Sequence, residues 1–266
     1  MIKRVLALLV LLVAGTAFAA DKKACTDSVL CLGVAGHFDL EEDSDYSRES
    51  SVGLAFFYEP DGANVSRATG KLGTYGADFA GTSTSYLTSR DAEHFGSVFY
   101  TVSFWIYPDT LGTSGQKQYV LSNDRTNSPG ESFYLENVSG SLRPTWQVKM
   151  VDGNALTLQA AAGITTSAWH FIVIEAYPAF SESATANNAR IYMSVDGAAR
   201  TSATLTYPVR VGWGPLRLGG RPQSGGENPY DGRLDHLTFY LGTLLNDEIS
   251  LAYNSGSGRT FPFSTP

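Results

Sequence analysis

The chain has 266 residues and a formal net charge of −7, with 17% charged and 12% aromatic residues. Such an acidic chain, without a Lys/Arg cluster, argues against binding nucleic acid or an anionic membrane surface. Its length can bury one large core and suits a single all-β domain.

In chain order, the first feature is a targeting segment over residues 1–19. Lys3 and Arg4 form a basic start. The apolar run Val5–Val13 is too short to span a bilayer as a helix. Ala17-Phe18-Ala19 fits a small-x-small cleavage site, so the mature chain is expected to begin at Ala20. No Leu-x-x-Cys lipobox accompanies it, and no later stretch is long and apolar enough for a transmembrane helix. The expectation is an exported protein, secreted or periplasmic, without a lipid or transmembrane anchor.

Residues 20–31 form an N-terminal segment holding both cysteines, Cys25 and Cys31. In an oxidising compartment they could pair, closing a small loop worth about 2 kcal/mol. The alternative is two free thiols. A CxxC redox motif is absent. His37, His94, His170 and His236 show no zinc-ligand spacing.

From residue 32 onward the vocabulary is that of a β-protein, with turn signals between alternating segments. TVSFWIY (101–107) places Val102, Phe104 and Ile106 in phase, with Trp105 and Tyr107 opposite. TWQVKMV (145–151) puts Trp146, Val148 and Met150 on one face. WHFIVIEAY (169–177) is apolar on both faces, as a strand covered on both sides would be. ARIYMSVDG (189–197) alternates and ends in Asp196-Gly197, a turn signal. PLRLGG (215–220) and GRLDHLTFYL (232–241) follow. The polar stretches LGTSGQK, NDRTNSPGE and RPQSGGENPY read as loops. A short helix is expected near the end, with Asn246 as N-cap and Asp247 and Glu248 in its first turn, where negative charge is favoured. Ile249, Ala252 and Tyr253 would face inward and the Gly256 region would stop it. Residues 257–266 are left as a tail.

The order TVSFWIYPDT, YVLS, ESFYLE, AWHFIVIEAY, ARIYMSVDG, PLRLGG and YDGRLDHLTFYLGTLLNDEISLAY resembles the LamG-like jelly-roll family of the concanavalin A-like lectin/glucanase superfamily. GKLGTYGADFAGTSTSYL (70–87) is similar to that family's early segment. The resemblance implies a jelly-roll domain over 32–256, built as two antiparallel sheets packed in a sandwich, with one short C-terminal helix. It also implies recognition of glycans or proteins, with some relatives being glycan hydrolases. Fold alone does not choose among these.

Hydrolysis would need a pair of carboxyls about 5 Å apart, or somewhat more, across a cleft. The nearest candidate, LEEDSDYSRES with Glu41, Glu42, Asp43, Asp45 and Glu49, lacks apolar alternation and reads as a solvated loop. Glu136 and Glu175 read as lone strand carboxylates at an edge or rim. No Gly-x-Ser-x-Gly elbow or phosphate loop is present. Sugar binding would use aromatic platforms and planar polar groups. The aromatic candidates are Trp105, Tyr107, Trp146, Trp213 and Tyr230, with Asn123, Asp124, Arg125, Asn127 and Asn228 from loops.

The strand period puts Asp235 in phase with Leu237, Phe239 and Leu241, opposite Leu234, His236, Thr238 and Tyr240. A carboxylate on an apolar face needs a partner. Arg233 is one candidate partner and a hydrogen-bonded anchor role another. The resemblance implies a third, a structural calcium held by Asp235 and Asp39 with backbone carbonyls and water. Asp231 is expected in a Tyr-Asp-Gly turn. The sequence therefore reads as a non-catalytic recognition module for a glycan. The alternatives are an adhesive or structural protein that binds a cell-surface or extracellular protein, and a glycan hydrolase.

Overall fold

A computed structural model describes residues 33–42, 48–52, 56–60, 65–89, 100–124, 130–150, 152–177, 190–207, 215–222, 228–261 and 263. The targeting segment, Cys25, Cys31, Asp43, Asp45, His94, Arg125, Asn127 and Trp213 lie outside the described residues.

Sixteen strands occur in the described residues, in chain order. They are β1 (Val34–Phe38), β2 (Arg48–Glu49), β3 (Phe56–Tyr58), β4 (Val65–Thr69), β5 (Tyr75–Ala80), β6 (Leu87–Ser89), β7 (Tyr100–Pro108) and β8 (Lys117–Ser122). The second half has β9 (Glu131–Val138), β10 (Ser141–Lys149), β11 (Ala155–Gln159), β12 (His170–Tyr177), β13 (Arg190–Val195), β14 (Thr201–Thr204), β15 (Arg217–Leu218) and β16 (Asp231–Tyr240). One helix, α1 (Asn246–Tyr253), follows.

These strands form two antiparallel sheets of eight. The first runs β14-β13-β12-β7-β16-β5-β4, with β1 also pairing with β16; the second runs β11-β10-β9-β8-β15-β6-β3-β2. The expected two-sheet antiparallel sandwich is therefore what forms. The alternation read from the sequence explains how. Val102, Phe104 and Ile106 from β7 meet Phe133, Leu135, Trp146 and Val148 from β9 and β10 in the core between the sheets. Phe104 and Phe133 pack edge to face across it, with ring centroids 5.1 Å apart.

The first sheet has a second apolar face, so the molecule has three layers rather than two. Trp105, Phe171, Val173 and Tyr240 point away from the inter-sheet core and are buried under Leu244, Ile249, Ala252, Phe261 and Phe263. This accounts for β12 being apolar on both sides: Ile172, Ile174 and Ala176 face the inter-sheet core, and Phe171 and Val173 the outer layer. The residues following 256 thus contribute two buried phenylalanines and belong to the fold rather than to a tail.

α1 starts one residue earlier than the Asn246 cap implied. Leu245 is the cap, and its N–H donates to Glu248 Oε2 at 2.6 Å, so Glu248 does sit in the first turn. Asn254 ends the helix in a left-handed conformation.

β16 carries a bulge that changes the phase of the strand. Pairing with β7 runs from Gly232 to Asp235, slips, and resumes at Thr238; His236 has φ of 47°. The extra residue resets the alternation. Leu234, Leu237 and Phe239 face the inter-sheet core, whereas Tyr240 faces the outer layer. Asp235 opposes Trp105, an outer-layer residue, so it is not in phase with Leu237 and Phe239 as simple alternation required. Leu241 is exposed. Asp231 opens the strand rather than serving a turn, and Gly232 behind it has φ of 148° with the Tyr107 carbonyl where a side chain would project.

Candidate functional site: the outward face of the second sheet

Inward packing on one side of β8, β9 and β10 decides what the other side presents. Phe133 and Leu135 point into the core, so Ser132, Tyr134 and Glu136 point out. Opposite them on β10 stand Gln147, Thr145 and Arg143. On the other flank stand Ser122, Tyr119 and Lys117. Tyr119 and Ser122 share this face although three residues apart, because a bulge in β8 turns both Val120 and Leu121 inward.

The face is polar and aromatic. Ser122 and Ser132 hydroxyls lie 2.7 Å apart, and the rings of Tyr119 and Tyr134 lie 5.4 Å apart. Burial pushes the Tyr134 phenol well above its usual range, so it stays neutral and can both donate and accept. Lys117 Nζ sits over the Tyr134 ring at 4.6 Å and the Arg221 guanidinium over Tyr119 at 5.5 Å. Asp124 ties this together. Its Oδ1 accepts from Lys149 Nζ at 2.5 Å and its Oδ2 from Arg221 at 2.7 Å. The Asp124 side chain is 3% exposed, so its charge is matched by two cations rather than offered to solvent. Gln147, Lys149 and Arg221 keep part of their surface accessible. Asp124 thus belongs to the site as the group that holds the two cations.

The aromatic candidates fare differently. Trp146 is fully buried in the inter-sheet core, as is Tyr230, whose hydroxyl donates to the Arg233 carbonyl at 3.0 Å. Trp105 is enclosed in the outer layer, with Tyr253 stacked at 5.9 Å and Lys71 Nζ 4.9 Å from its ring. None of these three offers a ring face to a ligand. Tyr107 is half-buried, tilted against Trp169 at 5.4 Å and covered by the Arg233 guanidinium at 4.6 Å. Tyr119 and Tyr134 are the aromatics on the outward side, but at 6% and 1% exposure they are covered by Arg221 and Lys117 rather than open as platforms, and sequence phase alone missed Tyr119 because the β8 bulge is not visible in the alternation.

The carboxylates are also placed. Glu175 is not at a rim: it is buried in central β12, where burial raises its pKa, and it pairs with Arg200 at 2.8 Å. Glu136 is on the outward face and accepts from Gln159 at 3.1 Å. Glu131 is buried on the inner face opposite Val148; desolvation pushes it up to about 8, with only the Trp146 indole favouring the charged form. Glu41 accepts from the Thr74 N–H at 2.6 Å and Glu42 from the Glu49 N–H at 2.9 Å, so these acids brace loops.

The expected calcium ligands are partnered separately. Asp235 Oδ2 accepts from the N–H groups of Lys71 and Leu72 at 2.7 and 2.9 Å. Its surroundings direct positive N–H dipoles at it, and Arg233 turns instead towards Asp78 and Tyr107. Burial raises the carboxyl to about 7. Asp39 lies beside two imidazoles, His37 and His236, in a group that does not include Asp235. Calcium takes six to eight oxygen ligands. N–H donors around one acid and imidazoles around the other do not fit a shared calcium.

A family model described as the concanavalin A-like lectin/glucanases superfamily, Laminin_G_3, matches residues 80–250. No curated protein matches the sequence. Among solved structures, the fold is similar to the binding domain of Paraclostridial Mosquitocidal Protein 1, with a TM-score of 0.64 and 16% identity over 84% of this chain and 52% of that one. It is similar to the Botulinum Neurotoxin Type G receptor binding domain, with a TM-score of 0.61 and 10% identity over 84% of this chain and 51% of that one. The chain thus spans about half the length of both. It is also similar to domain 4 of AbnA, a GH43 extracellular arabinanase from Geobacillus stearothermophilus, in complex with arabinotriose. There the TM-score is 0.57 and the identity 17%, over 85% of this chain and 98% of that one.

Proposed function

The chain belongs to the concanavalin A-like lectin/glucanases superfamily, and from that premise we propose that it is an exported, non-catalytic module that binds a glycan on the outward face of its second sheet. The observation that carries this reading is the contrast between the two sheets' outer faces. The first sheet's is sealed by α1 and the two phenylalanines beyond it. The second sheet's is polar: Arg221, held by Asp124 together with Lys149, lies over Tyr119, and Lys117 lies over Tyr134, so the part-exposed groups are Lys117, Gln147, Lys149 and Arg221 above buried tyrosines.

Such a face suits a sugar. Hydroxyl edges want planar, bidentate donors and acceptors, and these are fixed here by the Asp124 ion triad and by Gln147, whose amide donates to Thr157 Oγ1 at 3.2 Å. Fixing them in advance lowers the entropy cost of binding. The arabinotriose complex of the similar arabinanase domain supports a saccharide as the ligand class. The basic and apolar start of the chain supports action outside the cytoplasm.

The test is a glycan array with the mature chain, followed by titration of the best ligand. Binding without release of reducing ends is expected. Gln147→Ala should weaken binding at least roughly tenfold, the loss of about 1.4 kcal/mol, while leaving the melting temperature unchanged. Turnover of a bound polysaccharide, or a Gln147→Ala variant that binds normally, would overturn the reading.

A further inference from the structure

On the outer side of the first sheet, away from the face just described, His37, Asp39 and His236 converge. One ligand atom from each lies within 4.8 Å of the others. We propose that this cluster is a binding site for a borderline divalent metal ion of the zinc type, ligated by His37 Nε2, Asp39 Oδ1 and His236 Nε2. The site is independent of the glycan reading.

Distances support it first. Asp39 Oδ1 is 2.8 Å from His37 Nε2 and 3.8 Å from His236 Nε2. Ligand atoms around a tetrahedral zinc with bonds of about 2.0–2.1 Å lie roughly 3.3–3.4 Å apart. The two Asp39 separations bracket that value and the third lies within 4.8 Å, so side-chain adjustments on the order of 1 Å close the site.

Orientation supports it second. His37 Nδ1 lies 2.7 Å from the Thr238 hydroxyl, which fixes the ring and turns Nε2 toward Asp39. Asp39 Oδ2 accepts from the Ser51 hydroxyl at 3.1 Å, leaving Oδ1 toward the imidazoles. Ligand histidines and carboxylates in metal sites are characteristically held by such outer contacts.

The backbone supports it third. His236 takes a positive φ of 47°, unfavourable for a residue with a side chain. That conformation belongs to the bulge that brings His236 beside His37, whose ring centroid is 5.0 Å away. Phe261 stacks on His37 at 4.4 Å and shields it, while the Asp39 side chain is 20% exposed and leaves a path for an ion and a water as fourth ligand. Two imidazoles and one carboxylate favour zinc, cobalt or nickel over calcium or magnesium, which prefer oxygen. The ion would tie the first strand to the last.

The test uses the mature chain without a polyhistidine tag, stripped with a chelator and dialysed against zinc. One zinc per chain and a higher melting temperature are expected, with no comparable shift in calcium. Asp39→Asn and His236→Gln should abolish the shift, while His170→Gln and a Cys25→Ser/Cys31→Ser double variant keep it. Thr238→Val, which removes only the orienting hydroxyl, should weaken zinc binding by about 10–100-fold. Should the ligand variants fail to fold, cobalt-loaded wild type decides: intense visible bands of low-coordinate, imidazole-ligated cobalt support the site, and the pale spectrum of six-coordinate cobalt overturns it. No zinc uptake by wild type, equal shifts with calcium, or zinc lost in the cysteine variant would each overturn it too.

Discussion

The indole of Trp105 and the ring of Tyr253 stack nearly parallel, 22° apart, with centroids 5.9 Å from one another. That contact joins the middle of the first sheet to the end of α1 and closes the sheet's outer face. Trp105 is therefore a stability residue. Trp105→Ala should cost about 3–5 kcal/mol of unfolding free energy by the loss of a buried aromatic and the cavity it leaves. Denaturant titration measures this; a change below about 1 kcal/mol would mean that the outer layer is not closed. Glycan binding at low temperature should be unchanged in the same variant.

Glu131 supplies a pH dependence. Its folded pKa is raised to about 8 by burial, against an ordinary value of 4.5. Between these values the folded chain holds a proton that the unfolded chain releases. The stability Glu131 contributes is therefore full below about pH 4.5 and is lost as the pH rises to about 8, each tenfold difference in proton affinity between the two states being worth about 1.4 kcal/mol. Glu131→Gln should flatten the stability–pH curve over that window and raise stability at pH 8. An unchanged slope in the variant would show that Glu131 is not desolvated.

Asp235 separates two roles for a buried acid. Its Oδ2 receives two backbone N–H groups of the β4–β5 connection. Asp235→Ala would strand both, at about 1–3 kcal/mol each. Asp235→Asn keeps an acceptor oxygen and should cost much less. If the carboxylate instead held calcium, Asn would be as damaging as Ala and added calcium would raise the melting temperature of wild type alone. Thermal melts of the three proteins with and without calcium distinguish the outcomes.

Gly232 precedes the bulge, with φ of 148° and the Tyr107 carbonyl facing the position of a Cβ. Gly232→Ala must shift β16 against β7, a cost of about 2 kcal/mol or more through strain at a special conformation. Gly140, at a turn where a Cβ would meet nothing within 4 Å, is the control; there Ala suffers from the positive φ alone. Equal destabilisation of the two variants would remove the close-approach argument.

The alternation of Val102, Phe104 and Ile106, of Trp146, Val148 and Met150, and of the double-sided β12 was legible because side-chain direction in a regular strand repeats every two residues. Those segments determine the all-β sandwich and the interior of its core. Burial of individual aromatics was less legible. An alternating strand shows that Trp105 lies opposite Phe104, but not that α1, Phe261 and Phe263 return to cover that side. An indole that looks like a platform on one sheet is then core of a third layer.

Where the chain departs from regularity, side-chain direction follows from packing between remote strands. The β8 bulge brought Tyr119 onto the face with Tyr134, and the β16 bulge moved Asp235 to the outer layer and His236 beside His37. Neither bulge has a glycine or proline at its centre to announce it in the sequence. His37 and His236 are 199 positions apart and have no ligand spacing, since a metal-like cluster built across β1 and β16 depends on strand register and not on distance along the chain. The period of the apolar residues is enough to specify the architecture. Which polar residues meet was decided by register, bulges and the path of the C-terminal segment, because those follow from packing among strands remote in the chain.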